Sequence, residues 1–347
     1  MRALTFRDIG SGSLGVEDVL EPPPEEGGIL VEAVALGVCG TDRMFAHRTK
    51  APKLPPGRDR LVIGHESLGR VLESPPGSGF YVGDLVVGIV RAADPVPCAL
   101  CAAGEPDLCE NDGFTERGIE GRDGFGSERF RLTPGEAVRV DPDLGVAGVL
   151  LEPTSIVSKA WEKLDLLLRR RGRALVLGAG PIGLLAALLG VQRGYEVHVM
   201  DRLDHGRKPD QVRGLGATYH TAPATLAGGF DAVLECSGAL VSEAVRQSAP
   251  VGTICLIGEG EDRSTPVLGP AELTRELICR NKTLVGTVSS NRRHFDAGQR
   301  ALRQADPRWL AGLLGPFVAL EDWRSAFEEG ADQVKAVINF SAQTVGL

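Results

Sequence analysis

The sequence lacks any long run of basic residues. Across its 347 residues the formal net charge is −8 at pH 7 and the pI is near 5.4. The richest basic cluster is the short segment 169–173, which we interpret as the end of a helix, where cations suit the exposed carbonyl groups. A protein with this charge balance offers no positive surface to attract nucleic acid or an anionic membrane. We therefore expect neither as a partner.

The sequence also lacks an apolar leader, and its number of cysteines is odd. Residues 1–6 predict a first strand rather than a signal peptide. Segment 174–191 could span a bilayer by length alone, but the glycine-rich turn 178–183 divides it into a strand and a helix. Seven cysteines without a secretory signal point to metal ligands or free thiols instead of disulfides. These features predict a cytoplasmic enzyme.

The length exceeds that of one ordinary core, so two domains are expected, with 43% hydrophobic residues to fill both. Residues 1–153 carry short apolar runs among glycines and prolines, which predicts a largely antiparallel, barrel-like domain. Residues 154–290 alternate strands and helices, which predicts a doubly wound parallel sheet of the Rossmann type. Residues 291–347 end in an isolated apolar strand, so we expect this tail to return to the first domain. The predicted fold class is α/β.

The individual elements follow from the same patterns. In the first part, strands are predicted at residues 28–35, 61–72, 84–90 and 125–132. In the second part, helices are predicted at residues 155–171 and 181–193, and strands at residues 174–177, 196–200, 232–234, 253–257 and 283–288. The last predicted strand covers residues 335–340.

A glycine motif follows the first strand of the second part and opens a helix. Its residues are Gly178-Ala179-Gly180-Pro181-Ile182-Gly183. The first glycine allows a tight turn, the second lets backbone approach a pyrophosphate, and the third lets the helix pack on the strand. The free N–H groups at the start of the helix would bind the anion. The motif therefore predicts a dinucleotide site.

The choice of dinucleotide depends on the next strand, which ends in Asp201. This carboxylate would accept hydrogen bonds from both ribose hydroxyls and repel a 2′-phosphate, which favours NAD. The adjacent Arg202 could instead pair with that phosphate, so NADP or the use of both cofactors stays open. Ser237 follows a later strand at its carboxyl end, where sheets of this type bind ligands.

Two stretches of the first part offer metal ligands. Cys39 lies between small residues, where backbone can approach a ligand closely. An apolar run breaks at a glycine and then delivers His65 and Glu66 together. Thiolate, imidazole and carboxylate suit zinc. Alternatively, His65 and Glu66 form an ordinary hydrogen-bonded pair and Cys39 fills the core.

A loop rich in proline and glycine contains Cys98, Cys101 and Cys109. Such a loop buries little apolar area, and a tetrahedral zinc would stabilise it. Three thiolates are present where a structural zinc takes four ligands. Either Asp94 supplies an oxygen, or the site has been lost.

These stretches together resemble the zinc-dependent medium-chain dehydrogenases over essentially the whole chain. Segments 39–43, 114–119, 151–153 and 281–286 are similar to the archaeal glucose 1-dehydrogenase branch. The resemblance implies that Cys39, His65, Glu66 and Glu152 surround a catalytic zinc, partly through water. It also implies that Glu116, Glu152 and His294 bind the sugar, that Ser289 contacts nicotinamide or sugar, and that the protein is a homodimer or homotetramer.

The reaction so implied is oxidation of the C1 hydroxyl of an aldose, D-glucose above all, to gluconolactone, with hydride transfer to NAD or NADP. Zinc lowers the pKa of the hydroxyl, and Thr41 is placed to relay the released proton, with Glu66 and Glu152 as further catalytic residues. The alternatives are a polyol, threonine or alcohol dehydrogenase of the same superfamily, and a non-catalytic cofactor-binding redox sensor.

Three positions depart from the pattern of the family that the chain resembles. Met44 stands where a relay histidine is common, so the proton must leave through Glu66, Asp42 or water. Pro95 stands where the cysteine-rich loop usually has its first cysteine, and Ser289 where an asparagine is common. These departures bear on the loop zinc and on the preferred sugar more than on the reaction.

Overall fold

The two parts of the chain form sheets of different character, as the sequence patterns predict. A computed structural model describes residues 1–8, 13–259, 268–328 and 330–340. The strands are β1 (Arg2–Arg7), β2 (Ser13–Asp18), β3 (Ile29–Gly37), β4 (Arg60–Val62), β5 (Glu66–Glu73), β6 (Leu85–Gly88), β7 (Arg91–Ala92), β8 (Thr115–Arg117), β9 (Gly121–Arg122), β10 (Arg129–Leu132), β11 (Ala137–Arg139), β12 (Arg173–Leu177), β13 (Glu196–Met200), β14 (Thr218–His220), β15 (Phe230–Glu235), β16 (Ser248–Leu256), β17 (Thr283–Gly286), β18 (Leu314–Ala319) and β19 (Lys335–Asn339).

Helices connect these strands. The α-helices are α1 (Gly40–His47), α2 (Ala99–Ala102), α3 (Leu151–Leu167), α4 (Pro181–Gln192), α5 (Arg207–Gly214), α6 (Val241–Gln247), α7 (Pro270–Cys279), α8 (Arg292–Gln304), α9 (Pro307–Leu313) and α10 (Trp323–Phe327). Within the described ranges, no helix combines the length and apolarity needed to cross a membrane.

The first sheet is built mainly from the amino-terminal part of the chain. Its strand order is β11-β6-β5-β3-β19-β18, with β10 also paired to β3. Among its described pairs, β18 with β19 is parallel and the rest are antiparallel. Strand β19 pairs with β3, so the last described strand of the chain lies beside the strand that leads to Cys39.

The second sheet contains six parallel strands in the order β14-β13-β12-β15-β16-β17. Strand β12 is central, with four of its five residues, 174–177, fully buried. The order of the strands reverses beside β12, which leaves a crevice at the carboxyl ends of the strands, where doubly wound sheets bind ligands. The glycine turn 178–183 follows β12 at this end.

Two predictions about individual elements need correction. The helix predicted at residues 155–171 is α3, which begins at Leu151 and ends at Leu167, where the backbone becomes extended. The basic cluster therefore follows the helix, with Arg173 already the first residue of β12. In the loop before it, Arg170 pairs with Asp231 at 2.5 Å and Arg171 with Asp165 at 3.3 Å. The predicted strand 61–72 is two strands, because Gly64, at φ +91°, turns the chain between β4 and β5.

A buried ion pair connects the cysteine-rich loop to α3. The Nζ atom of Lys159 lies 2.6 Å from Oδ2 of Asp107, and both side chains are at most 3% exposed. Asn291 donates to the other carboxylate oxygen at 2.8 Å. Attraction to Lys159 and these hydrogen bonds outweigh the effect of burial and lower the pKa of Asp107. This pair fixes the loop against the helix that carries Glu152.

We predict that Lys159→Met lowers the free energy of unfolding by about 3 kcal/mol, because it leaves the Asp107 carboxylate buried without a cation. The exposed pair of Lys50 with Glu259, whose side chains are 40% and 73% exposed, provides a matched control. Lys50→Met should cost less than about 1 kcal/mol. Denaturant titration measures both values, and equal losses in the two variants would contradict the prediction.

Candidate active site

A cleft of about 840 Å³ brings together most of the predicted catalytic residues. The predicted site residues that line it are Cys39, Thr41, His65, Glu66, Glu116, Glu152, Ile182, Ser237 and Ser289. They come from strands β5 and β8, from helices α1, α3 and α4, and from loops, so the cleft is formed jointly by segments that are far apart in the sequence.

Three potential metal ligands meet at the floor of the cleft. One ligand atom each of Cys39, His65 and Glu66 lies within 4.8 Å of the others. Gly37 allows this approach, because a Cβ atom there would lie 2.3 Å from Oε2 of Glu66. The turn at Gly64 then delivers His65 directly before β5. Soft and hard donors in one small cluster fit zinc.

Asp42 orients both Cys39 and His65. Its Oδ2 atom accepts a hydrogen bond from the Cys39 backbone N–H at 2.9 Å, and its Oδ1 atom lies 3.5 Å from Nδ1 of His65. Burial opposes the charge on His65, but the charges of Asp42 and Cys39 outweigh it and raise the imidazole pKa well above 6.5. With Nδ1 facing a carboxylate, Nε2 is the nitrogen suited to a metal. The environment of His65 therefore favours a bound cation.

Sequence reasoning missed Lys335, the first residue of β19. Its Nζ atom lies 2.6 Å from each carboxylate oxygen of Glu66 and also donates to the Val38 carbonyl at 3.2 Å. Lys335 and Glu66 are 2% and 1% exposed as side chains. A lone lysine at the start of an apolar strand is the signal that could have revealed this partner. Glu66 thus reaches the cluster with its charge already balanced.

Two more carboxylates lie in the walls of the cleft. Glu152 sits in the first turn of α3, and burial, reinforced by the charges of Glu66 and Asp42, raises its pKa to about 7. Glu116 lies on β8 directly opposite Arg91 of β7, and its Oε1 atom accepts from Nε of Arg91 at 3.0 Å. Arg91 was also missed by sequence reasoning.

The glycine turn has the geometry that its motif predicts. Gly178 adopts φ +98°, and a Cβ atom on Gly183 would lie 1.8 Å from the carbonyl oxygen of Gly178. A Cβ atom on Gly180 would meet no atom within 4 Å, so the backbone there faces open space. Pro181 is the first residue of α4.

Asp201 lies beside this turn at the end of β13. Its Oδ2 atom accepts a hydrogen bond from the Ala179 backbone N–H at 2.6 Å, and its Oδ1 atom accepts from the Arg202 backbone N–H at 2.6 Å. The side chain of Arg202 is exposed. The acid is therefore tied to the glycine turn, and the arginine is free to face a ligand from solvent.

The loop after β15 is held by Glu235, a fully buried residue that sequence reasoning also missed. Its carboxylate accepts from the backbone N–H groups of Ser237 at 3.0 Å and Gly238 at 2.8 Å. Across the cleft, Ser289 adopts φ +57°, a left-handed conformation in which asparagine is enriched. This backbone conformation explains why asparagine is common at position 289 in the family that the chain resembles.

The structure does not place His294 with the other sugar-binding candidates. His294 is not among the described residues that line the cleft. It lies in the first turn of α8 and is 1% exposed. Its Nδ1 atom accepts from the Asn291 backbone N–H at 3.0 Å, and its Nε2 atom lies 3.5 Å from Glu162. In this structure His294 caps α8, and the expectation that it faces sugar hydroxyls stays a prediction.

The cysteine-rich loop brings its three thiols together. The sulfur atoms of Cys98, Cys101 and Cys109 lie within 4.8 Å of one another. Backbone N–H groups of Cys101 and Glu110 lower the pKa of Cys98 to about 7. Asp94 is not grouped with these thiols in the described structure, and its Oδ1 atom accepts a hydrogen bond from the Val96 backbone N–H at 2.8 Å. Asp94 as a fourth ligand stays a prediction.

Comparisons with known proteins cover the whole chain. Residues 145–340 match the family described as the glucose dehydrogenase C-terminus, and residues 25–142 match the alcohol dehydrogenase GroES-like domain. Glucose 1-dehydrogenase of Methanocella arvoryzae is 34% identical over 99% of this chain and 100% of its own. Glucose 1-dehydrogenase of Thermoproteus tenax is 33% identical over 97% of this chain and 99% of its own.

The fold also matches solved structures. Haloferax mediterranei glucose dehydrogenase, in complex with NADP, zinc and gluconolactone, superimposes with a TM-score of 0.89 at 29% identity. The match covers 99% of this chain and 100% of that one. Galactitol-1-phosphate dehydrogenase of Escherichia coli matches with a TM-score of 0.80 at 18% identity and 98% coverage of this chain and 100% of its own. The latter likeness concerns the fold alone.

The Lys335–Glu66 pair generates a prediction about metal removal. In metal-free protein, Lys335→Met should lower the free energy of unfolding by about 3 to 5 kcal/mol, because the buried Glu66 loses its cation. Added zinc should restore more stability to this variant than to the wild type, since it supplies the missing positive charge. Lys335→Arg keeps the charge and should lose less stability than Lys335→Met.

Denaturant unfolding with and without zinc measures these differences. An equal gain from zinc in the wild type and in Lys335→Met would show that Glu66 and the metal do not interact.

Proposed function

The chain belongs to the glucose dehydrogenase family of zinc-dependent medium-chain dehydrogenases, and from this membership we propose that it oxidises the C1 hydroxyl of an aldose, D-glucose above all, to the lactone. Hydride passes to a nicotinamide dinucleotide. The observation that carries the proposal is the convergence of Cys39, His65, Glu66, Glu116 and Glu152 in one cleft. Carboxylates suit a substrate rich in hydroxyl groups, whereas a pocket for simple alcohols would have apolar walls.

We propose that Cys39, His65 and Glu66 hold the catalytic zinc, with Glu152 beside it directly or through water. Zinc bound there stabilises negative charge on the sugar oxygen and lowers the pKa of the hydroxyl. Thr41 lines the cleft and passes the hydroxyl proton onward. Met44 also lines the cleft and cannot carry a proton, so the route continues through Glu66, Asp42 or water. Glu116 and Glu152 accept hydrogen bonds from neighbouring hydroxyls of the sugar.

The cofactor lies across the carboxyl ends of the parallel strands. The backbone of Gly178 to Gly183 binds the pyrophosphate at the start of α4. Ser237 and Ser289 contact the nicotinamide half, since both line the cleft. The Asp201 carboxylate, held beside the turn by the Ala179 N–H, disfavours a 2′-phosphate. We therefore propose NAD as the preferred cofactor, with NADP accepted through Arg202.

We propose a second zinc in the cysteine-rich loop, held by Cys98, Cys101 and Cys109. The three thiols are close enough to share one ion, and water or a further group completes the tetrahedron.

The odd number of cysteines and their free thiols suit a cytoplasmic location.

We further propose a homodimer, or a tetramer built from it, joined at β17. This strand is the last in its sheet, paired in the described chain with β16. Helix α7 precedes it and exposes Ile278, which is 70% accessible. An exposed strand edge beside apolar surface favours pairing with a second copy. Light scattering should give a mass of two or four chains, and Val285→Pro in β17 should reduce it; a monomeric wild type would contradict the proposal.

Initial rates test the reaction. We predict turnover of D-glucose that exceeds turnover of sorbitol and L-threonine, and its loss after metal chelation. Readdition of zinc should restore turnover. Metal analysis should find two zinc ions per chain in the wild type. In Cys101→Ser it should find one zinc ion per chain, with activity on D-glucose retained. Turnover confined to sorbitol or threonine would assign the chain to a polyol or alcohol dehydrogenase. Absence of turnover with zinc bound would favour a binding protein.

The cofactor preference yields a separate prediction. Asp201→Ser should lower the ratio of kcat/KM for NAD over NADP by at least about tenfold, because it removes a charge that repels the 2′-phosphate. Arg202→Ala should raise the same ratio. The exposed Asp204 provides a control, since Asp204→Ser keeps the acid beside the turn and should change the ratio little. An unchanged ratio in Asp201→Ser would contradict the assignment.

A further inference from the structure

Arg91 is a buried arginine that the proposed chemistry leaves unused. It lies behind Glu116, opposite it in the β7–β8 pair, and is 8% exposed. Both Nε and one terminal nitrogen of Arg91 lie 3.0 Å from the same Glu116 oxygen, Oε1. The Cζ atom of Arg91 lies 3.9 Å from the centre of the Phe114 ring. Arg91 is thus fixed on three sides, and it directs its charge at one oxygen of one carboxylate.

The remaining terminal nitrogen of Arg91 connects this pair to the other side of the cleft. It donates to the backbone carbonyl of Asp107 at 3.3 Å, and the same carbonyl lies 3.4 Å from Nζ of Lys159. Lys159 in turn donates to the carbonyl of Val288 at 2.9 Å. Val288 and the following Ser289 line the cleft. A buried polar chain therefore runs from Glu116 to the wall formed by the cofactor-binding part.

We propose that Arg91 is a positioning residue that sets the affinity for the sugar by fixing the Glu116 carboxylate. This inference rests on the proposed function, in which Glu116 accepts a sugar hydroxyl. With Oε1 taken by two donors of Arg91, Oε2 is the oxygen presented to the substrate. Without Arg91, the carboxylate could rotate about its terminal torsion, which is broad in glutamate, and its acceptor would no longer be held at one place.

The hydrogen bonds that lead from Arg91 to the Val288 carbonyl fix where the Glu116 carboxylate lies relative to the cofactor side of the cleft. A fork of fixed nitrogen atoms holds Glu116, and the same guanidinium is anchored to the backbone that Lys159 ties to the cofactor side. A sugar hydroxyl bound by Glu116 is therefore held at a fixed place relative to Val288 and Ser289, and not only relative to β8. A lysine at position 91 would keep the charge but lose the fork.

The experiment compares Arg91→Met, Arg91→Lys and Arg131→Met in the zinc-loaded full-length protein. Arg131 is a matched control, because it is also buried in the first sheet and its Nε donates to the Pro22 carbonyl at 2.8 Å, away from the cleft lining. Arg91→Met should raise KM for D-glucose about tenfold, the loss expected for hydrogen bonds to a charged group. KM for NAD and the zinc content should stay unchanged, and Arg91→Lys should recover part of the loss.

A double variant separates positioning from general loss of stability. Because Arg91 acts through Glu116, adding Arg91→Met to Glu116→Gln should raise KM for D-glucose less than it does in the wild type, and thermal unfolding should show Arg91→Met folded at the assay temperature. Full additivity of the two changes, or an equal rise of KM in Arg131→Met, would overturn the inference. A wild type that turns over no aldose would instead overturn the proposed function, which separates the two failures.

Discussion

The need to compensate several buried charges at one point governs the architecture of this molecule. Glu66, His65, Asp42 and Lys335 are all at most 4% exposed, and each would destabilise the fold if it were isolated. They are tolerated because they face one another: Lys335 balances Glu66, and Asp42 faces His65. Such compensation requires β19 to lie beside β3, which in turn pairs with β5, so the pairing of β19 with β3 serves the site directly.

The same requirement explains why the ligand cluster is small and close-packed. A carboxylate that already has an ammonium partner can approach a thiol and an imidazole without placing uncompensated negative charge in a dry interior. Glycine at position 37 creates the space that Glu66 needs. Neighbouring charges therefore make the cluster tolerable in the buried interior, with the backbone allowing the contact.

Buried polar chains extend this organisation to the substrate and cofactor walls. Arg91 holds Glu116, Asp107 joins Arg91 to Lys159, and Lys159 reaches the carbonyl of Val288. Glu235 shapes the loop of Ser237 in the same manner, with backbone N–H groups instead of a cation. Arg91, Lys159 and Glu235 are thus buried charged residues that position residues lining the cleft without lining it themselves.

Local patterns in the sequence were sufficient for the two kinds of sheet, the glycine turn and the stretches that carry Cys39, His65 and Glu66. Period, glycine spacing and ligand type are properties of short segments, so they can be interpreted without knowledge of distant contacts. Tertiary structure alone decided the partners of these residues. Lys335 lies 269 positions from Glu66, and the approach of His294 to Glu162 depends on where α8 packs. The hydrogen bond that Asp94 accepts from the Val96 backbone N–H is likewise a property of the folded loop.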